Sequence, residues 1–337
     1  MIMLDLRDLT LPLIGAPMAG GPSTPALAAA VGAAGGLGFL AAGYRTAEQV
    51  AEQIEQTRAL TARPFGVNLF VPQPSVAREA ELARYRESLA DEAERYGAEP
   101  GSPHPDDDDW QAKLELVEAS RPAAVSFTFG SPGREWMTAL ARAGILTLVT
   151  VTTPAEAELA VADGAGGLVV QGPAAGGHRG TFDPAAAPGT TSLDELLTRI
   201  ARAVPVVAAG GLSTPEAVAH VHRLGAAAAQ IGTALLLAEE AGTNAVHRAA
   251  LQSPEFTRTG LTRAFSGRYA RGLVNDFMRR HDSHAPSGYP ELNQITGPLR
   301  AAAVRAGDPH GTSLWAGTGF RSARPNTAGA ILENLTA

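Results

Sequence analysis

The chain contains no cysteine in its 337 residues. This absence excludes disulfide bonds, iron–sulfur clusters, thiolate zinc sites and cysteine nucleophiles. Any chemistry must therefore depend on oxygen and nitrogen groups or on a bound cofactor. With 45% hydrophobic residues the chain can still bury a large core, and we expect a soluble globular protein.

Basic clusters and long apolar runs are also missing. The net charge is −7, from 34 acidic and 27 basic residues spread along the chain, so we expect no nucleic-acid partner. No apolar stretch approaches the ~18 residues that a membrane helix needs, and we expect no membrane association. The start, MIMLDLRDLTLPLIGAP, lacks the basic segment of a signal peptide, which is compatible with a cytoplasmic location.

Eight short apolar runs alternate with helical patterns. The predicted strands are LIGA (13–16), GLGFL (36–40), PFGVNLF (64–70), AAVSFTF (123–129), ILTLVTV (145–151), GLVVQ (167–171), PVVAAG (205–210) and AAAAQIG (226–232). Several helices between them open with Ser or Thr followed by Pro, which is typical of a capped first turn. Eight strand–helix units in series predict an α/β fold, the (β/α)8 TIM barrel; an open doubly wound sheet is the alternative.

The barrel pattern predicts two parts of the chain. Residues 1–240 form the barrel, with a helical insertion at 71–120 after the third strand, and residues 241–337 form a mainly helical and then loop-rich extension that packs on it. The insertion carries the acidic run PDDDD (105–109). Consecutive acids rarely converge on one metal ion, so we interpret this run as a solvated loop before a helix.

Residues at the carboxyl ends of the strands carry the functional information in such a barrel. Gly210 and Gly211 follow the seventh predicted strand, and Gly232 and Thr233 follow the eighth. Glycines let backbone N–H groups approach an anion closely, and the loops after these two strands commonly hold phosphate. We therefore predict a phosphate site, although each pair could instead serve only to close a tight turn.

Two amides and one histidine lie at other strand ends. Asn68 and Gln171 both donate and accept hydrogen bonds, which suits the edge of a heterocycle. His178 follows Gly176 and Gly177, whose small size lets the backbone pass close to a planar ring, and an imidazole can exchange a proton near neutral pH. We predict that His178 is catalytic.

The remaining histidines give no metal site by sequence. His220 and His222 are two positions apart on a predicted helix and face different directions. His281 and His284 have ligand spacing without a third ligand, so we expect no metal.

Several motifs together resemble the nitronate monooxygenases, formerly called 2-nitropropane dioxygenases, and the class I branch in particular. They are PLIGAPMAGGPSTPALAAAVGAAGGLGFLAAGY, PFGVNLFVP, VSFTFGSP, VVQGPAAGGHRGTF, VVAAGGLSTPEAV, AQIGTALL and TRAFSGRYARGLVNDF. They extend from residue 12 to about 277. AGGH alone is less specific, because related flavin reductases share it. One position departs from the family pattern, since Ala174 stands where relatives often have glutamate.

The resemblance implies FMN at the mouth of the barrel and His178 as the catalytic histidine. The residues that it and the strand ends assign to FMN are Ala16, Pro17, Met18, Asn68, Gln171, Gly176, Gly177, Gly210, Gly211, Gln230, Ile231, Gly232 and Thr233. Arg179, or Ser266 with Arg268, is the candidate for binding a substrate carboxylate, because an arginine fork matches that group.

The implied reaction is the oxidation of an alkyl nitronate, such as propionate 3-nitronate, by O2 to a carbonyl compound and nitrite. The partners are then a small-molecule nitronate and O2, and we expect a monomer or homodimer. Two alternatives stay open: an FMN-dependent NAD(P)H oxidoreductase that reduces a quinone or an enoyl thioester, and a non-catalytic barrel that binds a phosphate ligand.

Overall fold

A computed structural model describes residues 3–200 and 203–336 of the chain. Its strands are β1 (Leu13–Gly15), β2 (Gly38–Ala41), β3 (Phe65–Phe70), β4 (Ala124–Thr128), β5 (Leu146–Val151), β6 (Gly167–Gln171), β7 (Gly177–His178), β8 (Val206–Ala209), β9 (Ala228–Ile231), β10 (Thr259–Thr262) and β11 (Ala270–Leu273). All eight predicted apolar runs form strands.

Eight of these strands form one parallel sheet in the order β1-β9-β8-β6-β5-β4-β3-β2. A parallel bridge between Ile14 and Leu37 brings the two ends of the sheet together. The sheet is therefore a nearly closed barrel, which confirms the (β/α)8 prediction and excludes the open sheet.

Thirteen α-helices occur in the described residues. They are α1 (Pro25–Ala33), α2 (Ala47–Leu60), α3 (Glu79–Glu87), α4 (Ala90–Tyr96), α5 (Trp110–Ser120), α6 (Arg134–Arg142), α7 (Pro154–Ala162), α8 (Leu193–Arg199), α9 (Pro215–Arg223), α10 (Ala245–Gln252), α11 (Asp276–His281), α12 (Glu291–Arg305) and α13 (Ala328–Asn334). Threonine side chains cap α1, α7 and α9 and proline follows each one, as the sequence predicts.

The barrel strands are buried on both faces, and alternate side chains belong to two different cores. In β6, Val169 packs inside the barrel with Leu148 and Val207. Its neighbours Leu168 and Val170 instead pack outward, in the core between strands and helices. Because side chains alternate along a strand, near-continuous apolar runs fill both layers at once.

The insertion after β3 supplies α3, α4 and α5. Tyr85 of α3 is buried beneath the C-terminal region, in a cluster with Phe265 and Leu292. A buried carboxylate, Glu92 of α4, binds Arg280 at 2.6 Å. The insertion thus packs mainly against the chain that follows the barrel.

A short sheet that the sequence pattern did not predict joins the region after residue 240 to the segment that carries His178. Strands β10, β11 and β7 form a three-stranded antiparallel sheet. The segments TGLT and ARGL are too short and too polar to give a strand signal. The last helix, α13, returns to pack against α1 and places Ile331 and Leu332 in the outer barrel core. The division of the chain at residue 240 stays a prediction.

Among the described residues, no helix combines the length and apolar character needed to span a membrane. That same part of the chain holds no group of three or more acidic or histidine side chains arranged to bind a metal ion.

Candidate active site

A cavity of about 550 Å³ lies at the carboxyl ends of the barrel strands. Its volume is within the usual range for small-molecule and cofactor sites. All but three of the predicted site residues line it: Ala16, Pro17, Met18, Asn68, Gln171, Gly176, Gly177, His178, Gly210, Gly211, Gln230, Gly232, Thr233 and Ser266. The strand-end argument therefore located one continuous pocket.

His178 is held from two sides. Its strand, β7, pairs with β11 rather than with the barrel, through Ala270 opposite His178. From the barrel side, the Gln171 amide donates to the carbonyl oxygen of His178 at 3.0 Å and accepts from the N–H of Gly180 at 2.9 Å. Gln171 thus fixes the backbone on both sides of position 179, which is a role beyond the predicted cofactor contact.

The imidazole ring of His178 has one polar neighbour and three aromatic ones. Its Nε2 atom lies 2.8 Å from the hydroxyl oxygen of Ser266. The rings of Phe129, Tyr289 and Trp315 surround it at centroid distances of 5.8, 6.0 and 5.6 Å. Burial, together with the nearby charges of Arg268 and Arg300, lowers the pKa of His178 to about 3. The ring is therefore neutral at pH 7.

The two glycines before His178 serve different purposes. A Cβ atom on Gly176 would lie 2.4 Å from the backbone nitrogen of Gly317, so this position allows a loop of the C-terminal region to approach closely. Gly177 has φ +73° and no atom within 4 Å of where a Cβ would be. Glycine is favoured here because the chain adopts a left-handed backbone conformation just before His178.

The loops after β8 and β9 present free backbone donors. Within the described chain, the N–H groups of Gly211, Gly232 and Thr233 make no hydrogen bond, and all three residues line the cavity. Gly211 has φ +79°, which favours glycine at that turn. The hydroxyl oxygen of Thr233 accepts from the N–H of Gly317 at 2.9 Å. Uncommitted amides on adjacent loops are the donor set that binds phosphate groups.

Asn68 presents an acceptor to the cavity. Its Nδ2 group donates to the backbone and hydroxyl oxygens of Ser126 and to the hydroxyl of Thr128, at 2.9–3.1 Å. No described residue donates to its Oδ1 atom. The side chain is thus fixed with its oxygen available to a ligand N–H group.

Three predicted contacts do not line the cavity. The Ile231 side chain is fully buried in the outer barrel core. Arg179 is 1% exposed, and its guanidinium donates to the carbonyl oxygens of Gly172 and Gln171. Arg268 is equally buried; it donates to the carbonyl oxygen of Thr181 and lies 3.8 Å above the ring of Phe129. Both guanidinium groups support the loop that carries His178, because they bind backbone and aromatic groups beneath it.

Arg300 is the charged site residue that the sequence did not predict. Arg300, on α12, is the single charged side chain among the described residues that line the cavity. Its Nε donates to the hydroxyl of Thr296 at 3.1 Å, and its Nη2 donates to the Asn293 side chain at 2.6 Å. No carboxylate of the described chain lies within ion-pair distance of it. Sequence reasoning searched the strand ends, and nothing in a single sequence distinguishes this arginine from the others after residue 240.

The fold and the cavity define a (β/α)8 enzyme with neutral amides, free backbone donors and one cation around a histidine. Residues 3–337 match the profile of the family described as Nitronate monooxygenase. The chain is 42% identical to the nitronate monooxygenase of Pseudomonas aeruginosa, with 98% of this chain and 96% of that protein covered. It is 39% identical to the nitronate monooxygenase of Paraburkholderia phytofirmans, at 99% and 93% coverage. The protein belongs to the nitronate monooxygenase family.

Solved structures agree with this assignment. The nitroalkane oxidase of Streptomyces ansochromogenes superposes with a TM-score of 0.94 at 47% identity, covering 98% of this chain and 96% of that one. FabK from Thermotoga maritima has a TM-score of 0.75 at 23% identity, covering 98% and 93%, and shows a shared fold.

Proposed function

We propose that the protein uses FMN and O2 to oxidise alkyl nitronates to carbonyl compounds and nitrite. The observation that carries the proposal is a cavity at the barrel mouth in which a neutral histidine, His178, shares the wall with a single cation, Arg300. Such a site favours an anionic substrate. The names of the relatives, nitronate monooxygenase and nitroalkane oxidase, support the same activity.

The cavity fits FMN by its donors and acceptors. The free N–H groups of Gly211, Gly232 and Thr233 suit the phosphate, and the Oδ1 atom of Asn68 suits an N–H of the heterocycle. Gly177, without a side chain, leaves room for a flat ring beside His178. When bound, FMN supplies the redox chemistry, taking electrons from the substrate and passing them to O2.

His178 binds the nitronate in this proposal and does not generate it. The Ser266 hydroxyl oxygen lies 2.8 Å from Nε2 of His178 and accepts from the backbone N–H of Arg268 at 3.4 Å. Its hydrogen has two acceptors within reach, Nε2 and the carbonyl oxygen of Arg268 at 3.2 Å, and we assign it to Nε2. Nδ1 then carries the ring hydrogen and donates to a nitronate oxygen. A neutral imidazole whose pKa is held at about 3 is a poor base for a carbon acid. The substrate is therefore the preformed nitronate anion.

Arg300 gives the cavity a second anion-binding group. Its Nη1 makes no hydrogen bond with the described residues, while Asn293 and Thr296 hold the other nitrogens in place. Arg300 is half-buried. A cation held in a cavity without an acidic partner favours an anionic ligand, and a guanidinium edge matches a carboxylate. We assign to Arg300 the carboxylate role that the sequence gave to Arg179 and Arg268, with propionate 3-nitronate as the matching substrate.

Two nitronates of similar length test this assignment in the FMN-loaded protein. Nitrite release is measured with propionate 3-nitronate and with butyl-1-nitronate, which lacks the carboxylate, for the wild type, R300M and R300K. R300M should lower kcat/KM for propionate 3-nitronate about tenfold or more and leave butyl-1-nitronate within about twofold, with R300K intermediate. Equal losses with both substrates would assign Arg300 to the scaffold.

The activity itself is tested without mutation. The wild type should release nitrite from preformed nitronates at pH 7 far faster than from the neutral nitroalkanes. Anaerobic mixing with NADH or NADPH should leave the flavin colour unchanged on the timescale of turnover. Rapid bleaching by a nicotinamide, without turnover of nitronate, would instead support the reductase alternative.

A further inference from the structure

Two carboxylates of the acidic run, residues 105–109, accept hydrogen bonds from backbone N–H groups next to the cavity wall. The Oδ1 atom of Asp108 accepts from the N–H of Tyr44 at 2.9 Å. The Oδ2 atom of Asp109 accepts from the N–H of Ala47, in the first turn of α2, at 3.1 Å. The expectation of a solvated loop therefore holds only in part, since two of the acids bind the segment between β2 and α2.

Asp108 is fixed from its other side by a buried cation. Its Oδ2 atom lies 2.8 Å from Nζ of Lys113, a residue of α5 that is 1% exposed. The backbone at Asp108 has φ +58°, in the left-handed region that non-glycine residues rarely adopt. The ion pair offsets the cost of that conformation and sets the direction of the carboxylate.

Tyr44 extends this contact into the site. Its own φ is +67°, so the Asp108 bond holds a strained backbone, and its side chain lines the cavity. The Tyr44 ring packs edge-on against Phe70 at 5.7 Å and against Tyr289 at 6.5 Å between ring centroids. Tyr289 in turn packs against His178.

We propose that Asp108 is a positioning residue of the active site, which holds Tyr44 as a wall of the substrate cavity and thereby gives the insertion a function. Without the Asp108 carboxylate, Tyr44 relaxes from its left-handed backbone and its ring leaves the cavity. Substrate binding then weakens, while His178, Ser266 and the phosphate loops stay in place. This inference rests on the proposed nitronate activity.

A double-mutant cycle tests it in the FMN-loaded full chain. D108A, Y44A and the double variant are compared with the wild type by steady-state oxidation of one nitronate. D107A is the matched control, because Asp107 belongs to the same run and is exposed without a described side-chain contact. D108A should raise KM about fivefold, as for loss of one hydrogen bond, with kcat within about twofold. The double variant should be no worse than Y44A, since both changes act through one side chain.

Several results would overturn the proposal. They are an unchanged KM in Y44A, an unchanged KM in D108A with a normal unfolding midpoint, additive losses in the double variant, or an equal loss in D107A. If D108A fails to fold, the KM values of D108N and Y44A test the proposal in its place. D108N retains an oxygen for the Tyr44 N–H and should keep KM near the wild-type value, while Y44A should raise it. A wild type without nitronate turnover would contradict the proposed function instead.

Discussion

The Nε2 atom of His178 lies 2.8 Å from the hydroxyl oxygen of Ser266. Both residues come from outside the barrel strands, His178 from β7 and Ser266 from the turn before β11. Ser266 is 1% exposed, and a backbone N–H donates to its oxygen. Its hydroxyl hydrogen has two acceptors within reach, Nε2 of His178 and the carbonyl oxygen of Arg268 at 3.2 Å. In the proposed mechanism it goes to Nε2 and leaves the ring hydrogen on Nδ1.

Replacing Ser266 by alanine should remove the hydroxyl that, in the proposed mechanism, keeps the ring hydrogen of His178 on Nδ1. We expect S266A to lower kcat/KM for a nitronate about tenfold, which corresponds to about 1.4 kcal/mol, the order of one buried hydrogen bond. S266T, which keeps the hydroxyl, should retain most of the activity. The check is steady-state nitrite release together with the FMN content of each variant. Equal activity of S266A and the wild type at full FMN occupancy would remove Ser266 from the mechanism.

The pH profile should lack a histidine step. Because burial lowers the pKa of His178 to about 3, the ring stays neutral from about pH 5 upward, and kcat/KM for a preformed nitronate should show no inflection near 6.5. An inflection between pH 6 and 7 that disappears in H178N would contradict this. The same lowered pKa makes the folded state lose stability as pH falls from about 6.5 toward 3, since the unfolded chain binds the proton first.

Gly176 offers a stability test of the loop contact. G176A places a Cβ atom 2.4 Å from the nitrogen of Gly317, and backbone cannot move away as a flexible side chain can. We expect a loss of about 2 kcal/mol in the free energy of unfolding, measured by denaturant titration. G189A is the matched control, since its Cβ would meet no atom within 4 Å and its φ is not positive. Similar losses in both variants would mean that the contact with Gly317 is not the cause.

The barrel and most of the cavity were predictable because both follow from local rules. The apolar runs that form β1 to β6, β8 and β9 are continuous, and a parallel barrel places the residues after them at one end. Gly211, Gly232, Asn68 and His178 were found in that way, from their distance to a strand end and nothing more.

The parts that failed depend on tertiary contacts. Arg179 and Arg268 have the right chemistry for a carboxylate, but both guanidinium groups turn toward backbone and aromatic groups beneath the site. Arg300 reaches the cavity from a helix about 70 residues beyond β9, a distance that no periodicity encodes. The short strands β10 and β11 exist because they pair with each other and with β7, while their own sequences carry no strand pattern.

Ala174 occupies the position where the family pattern often has glutamate. Its carbonyl oxygen accepts from the N–H of Thr318, and its methyl group would lie 3.0 Å from a Cβ at Gly211. The position is therefore packed between two loops and holds no carboxylate near His178. Ser266 supplies the polar partner of the ring instead.

Because β7 pairs with β11, the residues of the site come from two separate stretches of the chain. The barrel alone contributes the donors suited to a phosphate and a heterocycle, whereas the His178 ring takes its position from a sheet completed some 90 residues later. In the function proposed above, binding of the cofactor and action on the substrate therefore depend on different stretches of the chain. On that proposal, we expect substitutions in the later segment to change the reaction while leaving the affinity for the cofactor unchanged.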